Sequence, residues 1–139
     1  MVLECLAAAE ILEGLGVTAE VIDLRTISPL DAETCIGSVA KTRRVVVADT
    51  GHTDFGVTAE VVARISCELG TQLLANPRRV GLPTAPTPTT PALSDHYYPT
   101  ADTIVDDALM ALGIPRPSGV ASRPDGLRDV PNRDFKGPY

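Results

Sequence analysis

The chain has 139 residues, 12 of them Lys or Arg and 18 Asp or Glu, for a net charge of −6. That length suits one domain, which buries roughly two-thirds of its unfolded surface, and is too short for two catalytic domains flanking a cofactor cleft. The acidic balance excludes a protein that tracks nucleic-acid phosphates, and no run approaches the ~20 apolar residues needed to span a bilayer.

The first predicted element is a helix over Leu3 to Glu13, with Leu3, Leu6, Ala7, Ile11 and Leu12 near helical spacing and Gly14 and Gly16 as its stop. No basic segment stands ahead of this apolar stretch, so a secretion signal is not expected and the cytoplasm is the expected location. Ala19 to Leu24 follows as a strand candidate through Val21, Ile22 and Leu24. Ser28-Pro29-Leu30-Asp31 reads as a helix start, because Pro early in a helix loses no hydrogen bond and Asp31 and Glu33 suit the positive end of the dipole. That helix is expected to run to about Ala40. Val45 to Ala48 is a short apolar run of the kind found in strands covered on both faces.

A polar loop, Asp49 to Asp54, is expected next, then a helix from about Phe55 to Leu69 carrying Val57, Val61, Val62, Ile65 and Leu69. Arg79 to Leu82 gives another strand. Pro83, Pro86, Pro88 and Pro91 then force an extended excursion. Pro99 opens the last helix, with Ile104, Val105, Ala108, Leu109 and Leu112 on one side. This order predicts an α/β fold of three layers with a mainly parallel sheet. Such a sheet is expected to open with a strand ahead of the first helix, and none precedes Met1.

Composition divides the chain near Gly113. Residues 1–113 hold 7 basic and 15 acidic side chains, whereas 114–139 hold 5 basic, 3 acidic and five prolines. The two expected parts are therefore an α/β domain over 1–113 and a proline-rich tail over 114–139, extended or draped on a surface.

The residues that could carry chemistry are few. Cys5, Cys35 and Cys67 are odd in number and widely spaced, which fits buried thiols better than disulfides or zinc ligands. His52 lies between Asp49 and Asp54 at the expected ligand side of the sheet, where a His with a carboxylate could act as a general base. A solvated His in a polar loop is the simpler reading, since no Ser or Cys stands at a nucleophile spacing. A small hydrolase built on His52 is therefore the weakest of three readings. His96-Tyr97-Tyr98-Pro99 reads as an aromatic anchor for the proline-rich excursion. Gly14-Leu15-Gly16 follows a helix and is no dinucleotide fingerprint. Asp106-Asp107 reads as a solvated face.

The run Ala19-Glu20-Val21-Ile22-Asp23-Leu24-Arg25-Thr26-Ile27-Ser28-Pro29-Leu30-Asp31 resembles the C-terminal domain of transketolase-like enzymes. It looks closest to the beta subunit of thiamine-diphosphate-dependent 2-oxo acid dehydrogenases. Ser38-Val39, Lys41-Thr42-Arg43, Asp49-Thr50-Gly51, Phe55-Gly56-Val57-Thr58-Ala59-Glu60, Arg79-Val80 and Tyr97-Tyr98-Pro99-Thr100 follow in the same order, so the resemblance covers about residues 1–112. It implies the family's α/β fold without its first strand, whose absence leaves a sheet edge open to another chain.

The resemblance also implies a supporting role. Thiamine diphosphate and magnesium belong to the assembled enzyme and are bound by its diphosphate-binding and pyrimidine-binding domains, so this chain alone is expected to bind neither. Its expected partners are chains carrying those two domains, in an oligomer, with no nucleic acid and no membrane. No catalytic, cofactor-binding or metal-binding residue is assigned. The candidate interface residues are Asp49, His52, Asp54, Phe55, Tyr97 and Tyr98, with Phe135 and Tyr139 at the end of a tail that could strap onto a partner. Thr84 and Ser94 stand where the family usually has Asp and Glu, which removes charges from those positions. A free-standing interaction module with no part in thiamine chemistry is the alternative.

Overall fold

A computed structural model describes residues 1–90 and 97–120. Among them, α1 (Val2–Gly14), α2 (Ala32–Thr42), β1 (Val46–His52), α3 (Val57–Leu69), β2 (Arg78–Leu82) and α4 (Ala101–Leu112) follow in order, with a single 3-10 turn at Gly70–Gln72. The two strands pair in parallel, Val46 opposite Arg78 and Ala48 opposite Val80. A parallel pair needs a crossover, and α3 supplies it. None of these helices is long and apolar enough to cross a membrane.

Strand alternation divides the core. Val46, Ala48 and Val80 face the layer formed by α1 and α4, packing with Ala8, Leu12, Val105 and Leu109. Val45 and Val47 face α2 and α3, packing with Cys35, Val39, Val61 and Ile65. Apolar residues at successive positions are thus required by helices on both faces. This is the expected three-layer α/β arrangement.

Several boundaries differ from the sequence expectations. Ala19 to Leu24 is not assigned as a strand: it runs extended beside the α2 layer, with Ile22 and Leu24 packed there, and has no ladder partner among the described residues. α2 starts at Ala32, behind a turn through a cis Ser28–Pro29 peptide, so Pro29 lies outside the helix. Its cap is Asp31, whose carboxylate accepts from Thr34 N–H at 3.1 Å and from the Thr34 hydroxyl at 2.7 Å. β1 continues through Asp49 to His52, residues read as loop, after an irregularity between Ala48 and His52. α3 then begins at Val57 and not at Phe55.

Charged residues near the C-terminal end also depart from expectation. Asp106 and Asp107 are engaged: Arg78 pairs with Asp107 at 2.5 Å, and Arg116 bridges Asp102 at 2.5 Å and Asp106 at 2.8 Å. The first residues past α4 are thereby tied to its surface. Cys67 is exposed, Cys35 is buried and Cys5 lies between, so the expected burial fails for Cys67 alone. Burial pushes the Cys5 and Cys35 thiols up, which keeps them protonated and unreactive.

Two surfaces are unfinished. A cleft of about 900 Å³ lies between β1 and the extended run 17–27, walled by α1 and α4 on one side and α2 and α3 on the other. α1 is apolar nearly all round, and Val2, Leu3 and Leu6 project from it into solvent.

Candidate functional site

The C-terminal ends of β1 and β2 lie side by side and position the polar loop. Their approach is close enough that a Cβ on Gly81 would sit 2.7 Å from the Gly51 carbonyl oxygen. Past the irregularity, Thr53 N–H donates to the Leu82 carbonyl at 3.0 Å, and the Arg79 guanidinium donates to the Thr53 carbonyl at 2.7 Å. Thr53 is therefore pinned to β2 through both its N–H and its carbonyl. At its tip Phe55 takes a positive φ of 59° and is fully exposed, while a Cβ on Gly56 would overlap the His52 carbonyl. Gly at position 56 is what lets the chain turn so tightly into α3.

Two side chains of this loop latch the segment after β2. His52 Nδ1 lies 2.9 Å from the Pro83 carbonyl oxygen, which only accepts, so Nδ1 carries the proton. The Thr84 hydroxyl donates to Asp54 Oδ2 at 2.7 Å. Further along, the Tyr97 hydroxyl donates to the Ala85 carbonyl at 2.8 Å and lies 3.5 Å from the Thr87 hydroxyl. Tyr97 is buried and meets Tyr98 edge-to-face, with ring centroids 5.2 Å apart at 84°. An aromatic pair in this geometry contributes about 0.5–1.5 kcal/mol beyond its buried area.

His52, Asp54 and Tyr97 thus all contact the segment Pro83 to Thr87, and Tyr98 joins them through its ring contact with Tyr97. Tyr97 is buried and Phe55 projects, so the structure favours Phe55 over Tyr97 as an exposed interface residue. Asp49 stands apart: its carboxylate accepts from Thr50 N–H at 2.8 Å. Phe135 and Tyr139 lie outside the described residues. Sequence reading missed Arg79, Gly81 and the carbonyls of Pro83 and Ala85. Backbone acceptors leave no trace in side-chain patterns, although Thr84 was flagged by its departure from the family. It also missed the α1 ridge, which the aliphatic residues at positions 2, 3 and 6 could have revealed.

Chemically, these groups form a latch. The Thr53 and Thr84 hydroxyls are aimed at the Leu82 carbonyl and the Asp54 carboxylate, and the His52 proton is committed to Pro83. A nucleophile and its base must instead face each other. No group of three or more His, Cys, Asp or Glu side chains among the described residues is placed to hold a metal ion. The donor set that a magnesium-bound diphosphate requires is not assembled by these residues, and no chemical step is derived through one.

Residues 1–104 match the family described as "Transketolase, C-terminal domain". The chain is 37% identical over 111 residues to the acetoin:2,6-dichlorophenolindophenol oxidoreductase subunit beta of Bacillus subtilis (strain 168), covering 79% of this chain and 32% of that protein. It is 47% identical over 83 residues to the pyruvate dehydrogenase E1 component subunit beta of the same organism, covering 60% and 26%. It is 41% identical over 111 residues to the mitochondrial pyruvate dehydrogenase E1 component subunit beta of Saccharomyces cerevisiae, covering 78% and 30%. The chain spans about a third or less of the length of these curated relatives. With three-quarters of its residues matched and the α/β layers in place, the chain belongs to the family of transketolase C-terminal domains.

Proposed function

We propose that the chain serves as the non-catalytic C-terminal domain of a thiamine-diphosphate-dependent 2-oxo acid dehydrogenase or transketolase-like assembly. It contributes interface area and support for a cofactor cleft built by chains carrying the diphosphate-binding and pyrimidine-binding domains. The observation that carries this reading is the match to subunits named beta over only 26–32% of their length. The latch at the strand ends supports it. A bare aromatic on a fixed loop loses little conformational freedom on docking, as interface anchors do. Cytoplasmic location and thiamine diphosphate with magnesium in the assembly are part of the same proposal.

The test is co-expression with candidate chains that carry the two other domains, followed by size-exclusion with light scattering. Co-elution is expected. Phe55→Ala should weaken the complex by ten-fold or more while the melting temperature of the isolated chain stays unchanged, since Phe55 packs on nothing within it. Persistent separate elution at tens of micromolar would sink the assembly and leave the free-standing interaction module.

A further inference from the structure

We infer that residues 121–139 fold back over the outer face of α1, seating Phe135 on Leu3 and Leu6 and pairing Arg133 with Glu10. The inference rests on the outer surface of α1 and α4 and is independent of the proposed function. Leu3, Leu6, Glu10 and Glu13 recur at spacings that align them along one helical face, and all four are exposed. Leu3 is 36% and Leu6 46% exposed, and neither lines the cleft beside β1. This outer stripe is apolar in its first half and acidic in its second, on a helix without a basic side chain.

The described part of the tail points to the occupant. Glu4 accepts from the Ala101 N–H at 2.8 Å, which sets the N-terminal ends of α1 and α4 side by side. After Gly113 the chain reverses: Arg116 reaches Asp106 at 2.8 Å and, in the first turn of α4, Asp102 at 2.5 Å. Asp102 lies about 15 Å before the end of that helix, farther than an Arg and an Asp side chain span together, so the backbone itself has turned back. The tail is thereby led toward the end of the layer where Leu3 and Leu6 stand, and Val120, the last described residue, is half-buried. The following residues, 121–139, reach about 60 Å when extended, several helix diameters. They carry Arg123, Arg128, Arg133 and Lys136, whereas residues 1–113 hold 15 acidic side chains against 7 basic. Spacing agrees as well. In an extended chain Arg133 and Phe135 project to one side about 6.6 Å apart, and Leu6 and Glu10 are about 6 Å apart along α1. Tethering gives the segment an effective concentration near the millimolar range, so a contact too weak to hold a free peptide holds it. Salt screens the Arg133–Glu10 pair, and the cover loosens as ionic strength rises.

The experiment uses the full chain with Phe135→Trp, which gives a sequence without Trp a single indole, and reads acrylamide quenching of its emission. Expected is quenching about three-fold weaker than in the free peptide of residues 121–139 bearing the same substitution, because only the tethered segment reaches the stripe at low concentration. Adding Leu3→Ser with Leu6→Ser should restore the peptide's value while helix content by circular dichroism is kept. Glu10→Lys alone should raise quenching part of the way, and no change there would overturn the pairing with Arg133. In the unsubstituted chain, nuclear Overhauser contacts from the Phe135 ring to the Leu3 or Leu6 methyls are expected, a reading that depends on no variant. Quenching equal to that of the free peptide, or the absence of those contacts, would overturn the inference. So would shielding that survives the Leu3→Ser, Leu6→Ser double substitution in a folded chain. Shielding that grows with chain concentration would give the face to a second copy and also overturn it.

Discussion

Asp31 terminates a turn and starts a helix with one carboxylate, because its two oxygens take the Thr34 N–H and the Thr34 hydroxyl separately. Those bonds favour the ionised form and hold its carboxyl below the usual range, the hydroxyl contributing most. Glu20 is lowered similarly, by the Ser38 hydroxyl first and by Lys41 next. A depressed carboxylate stabilises the fold above its unfolded pKa of about 4, and that stabilisation is lost as pH falls through the folded value. Replacing Asp31 with Ala should therefore lower the melting temperature at pH 7. It should also flatten the acid limb of the wild-type curve, with the two proteins converging toward pH 2. Thermal melts across that range provide the check; parallel curves would remove Asp31 as a source of acid sensitivity.

At the scale of elements, a side chain's worth depends on what it ties together. Arg116 reaches back from beyond α4 to Asp102 and Asp106, one helical turn apart, and Gly113 permits the return by adopting a φ of 69°. Asp106 is nearly half exposed, so solvent screening limits the gain. A double-mutant cycle between Arg116→Ala and Asp102→Ala should give a coupling of about 0.5–1 kcal/mol that shrinks at high salt. α3 and α4 were legible in the sequence because their apolar positions recur at helical spacing, and Ile65, Val105 and Leu109 are buried where that spacing puts them. The run Ala19 to Leu24 was legible as extended but not as unpaired. Val21, Ile22 and Leu24 encode a preference, whereas a ladder requires a neighbour, and sequence composition does not report one. Asp49 to His52 misled for the opposite reason: polar residues and Gly51 suggested a loop, but proximity to Leu82 keeps them in the sheet. The latch was half visible, its side chains standing in the sequence and its carbonyl acceptors appearing only with the fold.

For the molecule as a whole, the main consequence is a core split in two by a sheet that is two strands wide among the described residues. Ile104 lies in the α1–α4 half and Ile65 in the α2–α3 half, and among the described residues the two clusters share no packing partner. Ile65→Val and Ile104→Val should each cost about 0.5–1.5 kcal/mol. In urea titrations the double variant should equal their sum to within about 0.5 kcal/mol. A larger departure would mean that strain passes through the sheet from one half to the other.

The ridge of Val2, Leu3 and Leu6 on α1 sets the conditions under which this chain can be handled alone. Oil-like contacts between copies pull inward at short range, while six excess negative charges push copies apart over a Debye length of about 10 Å at 0.1 M salt. Adding electrolyte shortens the repulsion and leaves the attraction intact. Ionic strength therefore governs whether the isolated chain stays dispersed or clumps.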